Sequence, residues 1–264
     1  MIKAKVVCDS LSPDGHRLTT VECKFPRIIL AEVNTYGMIT KSASSNRAIP
    51  IQRRIDEVGS DPFIPIYWGK NEPGMVASEE LEYDLQLEAT SVWLEAAQAM
   101  IDYTTYLKNL GVHKQIAIRL LEPFLWQTNV MTATSFDNMF NQRIHKDAQP
   151  EFNALAVEIK KAVDESTPIN LGYDNWHLPY IYEDEDSLDL ELKKKISVAR
   201  VARTSYGNQN KRDAEKDLEL HDRLWNADPK HWAPFEQIAQ PTYLDQWEIP
   251  GRYSGFISLR HLLA

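Results

Sequence analysis

Residues 140–151 of this chain are FNQRIHKDAQPE, and no other stretch carries as much information about it. The stretch begins with an apolar residue and then turns strongly polar, which is typical of an amphipathic helix that ends in solvent. If the whole stretch is helical, Arg143 and Asp147 lie four residues apart on one face, and Gln149 follows two residues later. A guanidinium and an amide at such a helix end are suited to bind a small planar anion.

Length and charge narrow the class of protein. The chain has 264 residues with 43% hydrophobic content, enough for one large or two small domains, and we take residues 1–264 as a single domain. The net charge of −9 and the pI near 5.3 argue against a surface that binds a nucleic-acid backbone. No apolar run approaches the ~20 residues that cross a bilayer, so no membrane partner is expected.

The cysteine content and the amino-terminal sequence bear on the compartment. The two cysteines, Cys8 and Cys23, are too few to indicate a disulfide framework. The first residues, MIKAKVVC, predict a strand and not a signal peptide. We therefore expect a cytoplasmic protein.

Local patterns predict a helix-rich α+β fold. A strand pair is predicted at 3–9 and 18–24, around the turn Pro13-Asp14-Gly15. The small polar residues of 40–50 predict a loop, and residues 79–110 predict a long amphipathic helix that ends at Gly111. The predicted buried face of that helix is Leu81, Leu85, Leu87, Val92, Leu94, Ala97, Ile101 and Leu107. Other predicted helices are 28–34, 51–58, 112–121, 134–144, 151–164, 188–203 and 211–226, and a further strand is predicted near 243–248.

Two segments have the composition of a phosphate site. The first is SASSNRAIP, residues 42–50, in which small hydroxyls and backbone amides surround Arg47. The alternative is a solvated loop whose serines cap the following helix. The second is IAIRLLEP, residues 116–123, in which Arg119 ends an apolar helix; here the alternative is a snorkelling surface arginine.

Taken together, these segments resemble the flavin-dependent thymidylate synthase family. Residues 42–50 resemble the serine and arginine end of its first motif, residues 116–123 its arginine followed by Leu-Pro, and residues 140–151 its second motif. The resemblance implies that Ser45, Arg47 and Arg119 bind the nucleotide phosphate. It also implies that Arg143 is the catalytic residue that polarises the pyrimidine, with Gln149 in support.

The carboxy-terminal third carries two more motifs of the same family. ISVARVARTSY, residues 196–206, and HWAPFEQ, residues 231–237, resemble elements that usually precede the first motif. The chain therefore resembles a circularly permuted, phage-type member, and permutation is tolerated when native termini lie close together. The resemblance places Ser205 at the flavin phosphate and Glu236 and Gln237 on the cofactor side, with Gln237 in the place of a histidine.

The flavin-side positions are where the chain departs from the family. Tyr36 and Gly37 replace a His-Arg pair, and Ser42 and Ala43 replace an Asn-Glu pair, whereas Asn138 is kept. Losing a cationic pair removes charge-assisted bonds of roughly 1.5–3 kcal/mol each. Tyr36 is left as a candidate to stack on the flavin ring.

The resemblance implies one function and leaves alternative functions open. It implies a homotetramer with shared active sites that transfers a one-carbon unit from methylenetetrahydrofolate to C5 of dUMP, giving dTMP, with FAD as cofactor and NADPH as reductant. The altered flavin side leaves two alternatives: a 5-hydroxymethylase acting on dUMP or dCMP, or a nucleotide-binding relative that has lost flavin catalysis. The histidines and cysteines show no spacing typical of a metal site, and none is expected.

Overall fold

The computed structural model describes residues 1–208, 211–243 and 251–264. The predicted strand at 243–248 therefore falls almost wholly outside the described residues. The strands of the described part are β1 Lys3–Leu11, β2 Arg17–Pro26, β3 Thr40–Ala43, β4 Trp126–Ala133, β5 Ile169–Asn170, β6 Ala239–Pro241 and β7 Phe256–Ser258. Its α-helices are α1 Leu30–Asn34, α2 Ile51–Ser60, α3 Tyr83–Asn109, α4 Lys114–Ala117, α5 Asp137–Arg143, α6 Pro150–Asp164, α7 Leu190–Arg203, α8 Ala214–Trp225 and α9 Leu259–Leu263. Its 3-10 helices are Arg27–Ile29, Ile118–Phe124, Glu183–Glu185, Thr204–Tyr206 and Pro234–Gln237.

The amino-terminal hairpin forms as predicted. β1 pairs antiparallel with β2, and Gly15 in the connecting turn has a φ of 83°, which a residue with a side chain rarely adopts. The hairpin belongs to a five-stranded mixed sheet of order β3-β4-β2-β1-β5, in which β5 runs parallel to β1. The chain is thus a mixed α/β protein in which helices predominate, as expected; its permutation relative to the family stays a prediction.

Two strands of this sheet differ from the sequence-based expectation. β3 lies within residues 40–50, where a loop was predicted, and β4, at 126–133, was not predicted. β3 and β4 pair antiparallel, with Thr40 opposite Thr132 and Ala43 opposite Asn129. Their polar side chains look like loop residues, yet Thr132 is fully buried and its hydroxyl lies 2.7 Å from that of Thr20 on β2. Hydrogen bonds between neighbouring strands offset the cost of burying these hydroxyls.

Each face of the sheet is covered by helices. On one face Val21, Phe25 and Met131 pack against Phe152 and Leu155 of α6. On the other face Val130 packs against α7 and the 3-10 helix Pro234–Gln237. The predicted sites therefore divide between the rims of this sheet and its buried second face.

The long helix α3 is present; its predicted buried face is right at Ala97 and Ile101 and wrong at four other positions. Leu85, Leu87, Val92 and Leu94 are exposed, whereas Ala97 and Thr104 are buried. The reason is that α3 packs mainly against α2 and the segment 114–124, which cover a narrow strip of it, while Trp93 adds contacts to Phe63 and Trp68. None of the helices in the described part of the chain is long and apolar enough to cross a membrane.

Candidate functional site

Arg143 lies at the carboxy-terminal end of α5 and is held by Tyr36. Its Nε donates to the Tyr36 hydroxyl at 2.8 Å, and that hydroxyl donates to Gln142 Oε1 at 2.9 Å. The guanidinium also stacks on the Phe152 ring, 4.6 Å from its centroid, and pairs with Glu32 at 3.3 Å. With 24% of its side chain exposed, Arg143 is oriented by the protein and still within reach of a ligand.

The pairing of Arg143 with Asp147 does not form. The helix ends at Arg143, and Ile144 leaves the helical conformation with ψ 65°. Asp147 instead lies 3.5 Å from the His145 ring, in the turn that leads to α6. The guanidinium is therefore fixed by tertiary contacts and not by its own helix.

A cleft of about 190 Å³ opens beside this group, between α5 and the segment 35–39. Tyr36 and Asn138, both predicted on the cofactor side, line it, and Asn138 Oδ1 accepts from Gln142 Nε2 at 3.3 Å. Lys41 braces the same segment, because its Nζ donates to the Tyr36 carbonyl at 2.6 Å. Burial lowers the pKa of Lys41 to about 8. Tyr36 and Asn138 thus line one cleft, and Arg143 is joined to it through the Tyr36 hydroxyl.

Gln149 takes a different role from the one expected beside Arg143. It precedes Pro150 at the start of α6, and its Nε2 donates to the buried Glu151 at 2.7 Å. Glu151 also accepts from the backbone N–H of Ile66 at 3.1 Å. In this arrangement the Gln149 amide braces a loop.

The predicted phosphate residues approach one another on the opposite rim. The N–H of Ser45 donates to the Ser205 carbonyl at 3.0 Å, which joins two segments that lie 160 residues apart in sequence. The Ser45 hydroxyl accepts from the N–H of Arg47 at 3.3 Å. Within the described residues the exposed guanidinium of Arg47 has no polar partner, so it is available to a ligand.

Glu122, which the sequence did not single out, connects Arg119 to this loop. Its Oε1 lies 2.9 Å from Arg119 Nη1, 2.9 Å from Arg27 Nη2 and 2.8 Å from Asn46 Nδ2. Asn46 lies between Ser45 and Arg47, so one carboxylate ties the loop to both arginines. The sequence signal for a role of Glu122 was its position before Pro123 in the segment that resembles a family motif.

Glu236 and Gln237 lie in the second face of the sheet. Glu236 is nearly buried and accepts from Arg260 at 3.0 Å, with Arg252 at 4.0 Å. Gln237 is fully buried and accepts from the Thr132 hydroxyl at 2.5 Å, while its Nε2 has no partner in the described part of the chain. The structure therefore makes Gln237 a core residue of the single chain.

The residues predicted for the flavin do not form one site within a single chain. Tyr36 and Asn138 share the 190 Å³ cleft, which Ser205, Glu236 and Gln237 do not line. That volume is below the roughly 300–1,000 Å³ of typical ligand pockets. Three or more His, Cys, Asp or Glu side chains in a metal-binding arrangement are likewise not found in residues 1–208, 211–243 and 251–264.

The fold is similar to that of a UMP/dUMP methylase, PolB from Streptomyces cacaoi. Its structure bound with 5-Br UMP has a TM-score of 0.52 and 15% sequence identity, over 62% of this chain and 89% of PolB. The structure bound with 5-Br dUMP has a TM-score of 0.52 and 14% identity, over 62% of this chain and 90% of PolB. No family model and no curated protein sequence matches the chain. At this identity the likeness shows the fold.

Proposed function

We propose that this protein is an enzyme that modifies C5 of a pyrimidine nucleotide, converting dUMP to dTMP with methylenetetrahydrofolate as the one-carbon donor. One observation carries the proposal: Arg143, predicted to polarise the base, is held by the hydroxyl of Tyr36, a residue that lines a cleft. The fold of the chain is similar to that of a UMP/dUMP methylase. The three predicted phosphate residues lie on segments that approach one another on the opposite rim.

Arg143 would act on the base. A guanidinium donates to a pyrimidine carbonyl and stabilises the negative charge that develops on the ring when C5 attacks an electrophilic carbon. The Tyr36 hydroxyl and the Phe152 ring already restrict the guanidinium. Pre-positioned donors of this kind need little reorganisation during the reaction.

Ser45, Arg47 and Arg119 would bind the phosphate monoester. Arg119 is paired with Glu122 on one side only, and Arg47 has its guanidinium in solvent. The Ser45–Ser205 backbone bond holds the loop against the 3-10 helix Thr204–Tyr206. Two arginines and a hydroxyl give the multiple charge-assisted bonds that a phosphate needs.

We place FAD, NADPH and the folate between subunits, because the predicted cofactor residues do not converge within one chain. This requires an oligomer, and we propose the homotetramer of the resembling family, acting in the cytoplasm, or in the host cytoplasm if a phage encodes the chain. When bound, the flavin would supply the reducing equivalents. Whether Tyr36, Asn138, Ser205 and Glu236 contribute to it depends on the partner surfaces.

An exposed apolar stripe on α3 supports the oligomer. Its members are Leu85, Val92, Tyr103, Tyr106 and Leu110, with relative exposures of 49, 59, 59, 62 and 61%. The spacings of 7, 11, 3 and 4 residues put all five on one side of a helix with 3.6 residues per turn. A contiguous apolar surface of this kind on a folded protein marks an interaction site.

Titration calorimetry of the purified chain tests the proposal. The protein is titrated with dUMP and dCMP, with and without FAD, and the Arg143→Lys and Arg47→Gln variants are compared. We expect the preferred nucleotide to bind the wild type, with weaker binding to both variants. An Arg143→Lys enzyme with full turnover and affinity would contradict the role of Arg143, and product analysis separates methyl from hydroxymethyl transfer.

One observation favours a second candidate, a nucleotide-binding protein without flavin catalysis. Gln237 is sealed in the core by Thr132, and the residues predicted for the flavin are dispersed. The absorbance of the purified protein discriminates between the two. An oxidised-flavin absorption band at about 450 nm supports the enzyme. Nucleotide binding by a colourless protein that FAD does not stabilise supports the non-catalytic alternative.

A further inference from the structure

Arg54 of α2 is buried, and two of its three guanidinium nitrogens have no partner among the described residues. Its side chain is 4% exposed, and Nη1 donates to Glu57 Oε2 at 2.6 Å. Nε and Nη2 have no hydrogen-bond partner among the residues that the structure describes. These two nitrogens project their hydrogens to the same side of the planar group, which is the geometry that grips two oxygens of one anion. Buried, charged donors without acceptors are costly, so an acceptor is expected.

A cleft of about 340 Å³ adjoins this side chain, between α2 and the ends of β2 and β4. Its lining includes three cations, Lys24, Arg53 and Arg54, and two carboxylates, Glu57 and Asp61. Both carboxylates are already paired, Glu57 with the two arginines and Asp61 with Lys24 at 3.1 Å. The lining therefore has one positive charge in excess, because Arg53 and Arg54 share the single carboxylate of Glu57.

More positive charge lies behind the cleft. Arg27 and Arg119 share the carboxylate of Glu122. The pKa of Arg27 is lowered, mainly by burial and in part by the charges of Arg54 and Arg119. Arg27 is thus repelled by Arg54 and by Arg119, with which it shares Glu122, and an added anion would relieve this repulsion.

The cleft also adjoins the segments predicted to bind phosphate. Thr128, which lines it, accepts through its carbonyl from the N–H of Ser44 at 2.8 Å. Arg53 donates to the carbonyls of Tyr206 at 3.2 Å and Gly207 at 3.1 Å. The cleft is thus lined by residues separate from Ser45, Arg47 and Arg119.

We propose that this cleft is a second phosphoryl-binding site, in which Arg54 holds two oxygens side-on and Lys24 and Thr128 supply further donors. It goes beyond the nucleotide clamp, because none of the three clamp residues lines it. The ligand is a phosphoryl group, either free phosphate or pyrophosphate or one carried by a nucleotide cofactor. More than one oxygen is needed to use the fork and the two flanking donors together.

Thermal unfolding of the full chain tests this, with inorganic phosphate, pyrophosphate, FAD and citrate as separate probes. At a probe concentration of about 100 times its Kd, we expect the melting temperature of the wild type to rise by about 5 °C. The Arg54→Met variant should lose that shift. Without the probe it should melt no lower than the wild type, because the substitution removes unpaired buried donors and Glu57 keeps its ion pair with Arg53. Arg47→Gln, the matched control in the nucleotide clamp, should retain the shift.

The outcomes distinguish a free anion from a phosphoryl group carried by a cofactor, and a phosphoryl group from a carboxylate. A shift with phosphate or pyrophosphate alone indicates a free anion, and a shift with FAD alone indicates a carried phosphoryl group; both support the site if Arg54→Met removes them. An equal, Arg54-dependent shift with citrate would overturn the phosphoryl assignment, and no shift of the wild type with any probe would overturn the site itself. If Arg54→Met does not fold, Arg54→Lys keeps the charge without the fork and should weaken binding at least tenfold. Loss of dUMP binding with an intact phosphate shift would count against the proposed function and leave this site standing.

Discussion

His177 makes the stability of this protein depend on pH between the usual histidine range and strong acid. The imidazole is fully buried; its Nδ1 lies 2.8 Å from the Ser10 hydroxyl and its Nε2 lies 2.7 Å from the Thr20 hydroxyl. Cys8 Sγ lies 3.4 Å from Nδ1. Burial lowers the pKa of His177 from 6.5 to about 3, and the charge of Asp9 offsets only part of that effect. The ring is therefore neutral in the folded protein at pH 7.

The direction and the size of the change in the free energy of unfolding follow from the linkage between proton binding and folding. Between pH 6.5 and 3 the unfolded chain binds a proton at His177 that the folded chain does not, so the free energy of unfolding falls as the pH falls. Each pH unit in this window costs roughly 1.4 kcal/mol, and the whole window roughly 5 kcal/mol. That is comparable with the total stability of a small protein, roughly 5–15 kcal/mol.

The assay is urea unfolding at several pH values from 7.5 to 4.5, for the wild type and for His177→Gln. Carboxylates whose pKa is lowered in the folded protein, such as Glu185 with a pKa of about 2, add their own loss of stability mainly below 4.5, the ordinary pKa of a glutamate. Above that value, the difference between the two proteins therefore reports on His177. We expect the wild type to lose roughly 3 kcal/mol between pH 6.5 and 4.5, and His177→Gln to start less stable but show a flatter profile. Parallel profiles for the two proteins would refute the reasoning.

Three further predictions concern other sites. Asp217→Ala should lower the free energy of unfolding by about 3–5 kcal/mol in urea titrations, because Asp217 is fully buried and accepts from Arg200 Nε at 2.9 Å; a loss below about 1 kcal/mol would contradict this. Val92→Glu should dissociate the proposed oligomer in light scattering while leaving the circular dichroism unchanged, and an unchanged mass would remove α3 from the interface. Tyr36→Phe should weaken dUMP binding by about fivefold in calorimetry, because the hydroxyl that orients Arg143 is lost.

Elements with a complete local pattern were predicted well. The β1–β2 hairpin follows from apolar alternation around Asp14-Gly15, and α6 follows from Pro150 at its first turn and a 3.6-residue apolar period. These signals lie within the segment itself, so no knowledge of the neighbours is needed. The same holds for the proximity of Ser45 and Arg47, which are separated by one residue.

The remaining features were decided by tertiary structure. β4 combines strand-favouring residues with two threonines, a glutamine and an asparagine, and Thr132 is buried there because Thr20 and Gln237 supply its hydrogen-bond partners. The apolar pattern of α3 shows that it is amphipathic, yet which apolar side chains are buried depends on the narrow contact with α2.

What the sequence determined by itself is the inventory of helices, the hairpin and the residue types suited to a nucleotide. The sequence alone does not reveal that Arg143 donates to Tyr36, 107 residues away, or that two nitrogens of the buried Arg54 have no partner in the described part of the chain. Contacts between distant segments set the burial and the pairing of each charge, and these two quantities decide whether an arginine is a surface residue, a structural ion pair or a ligand-binding group.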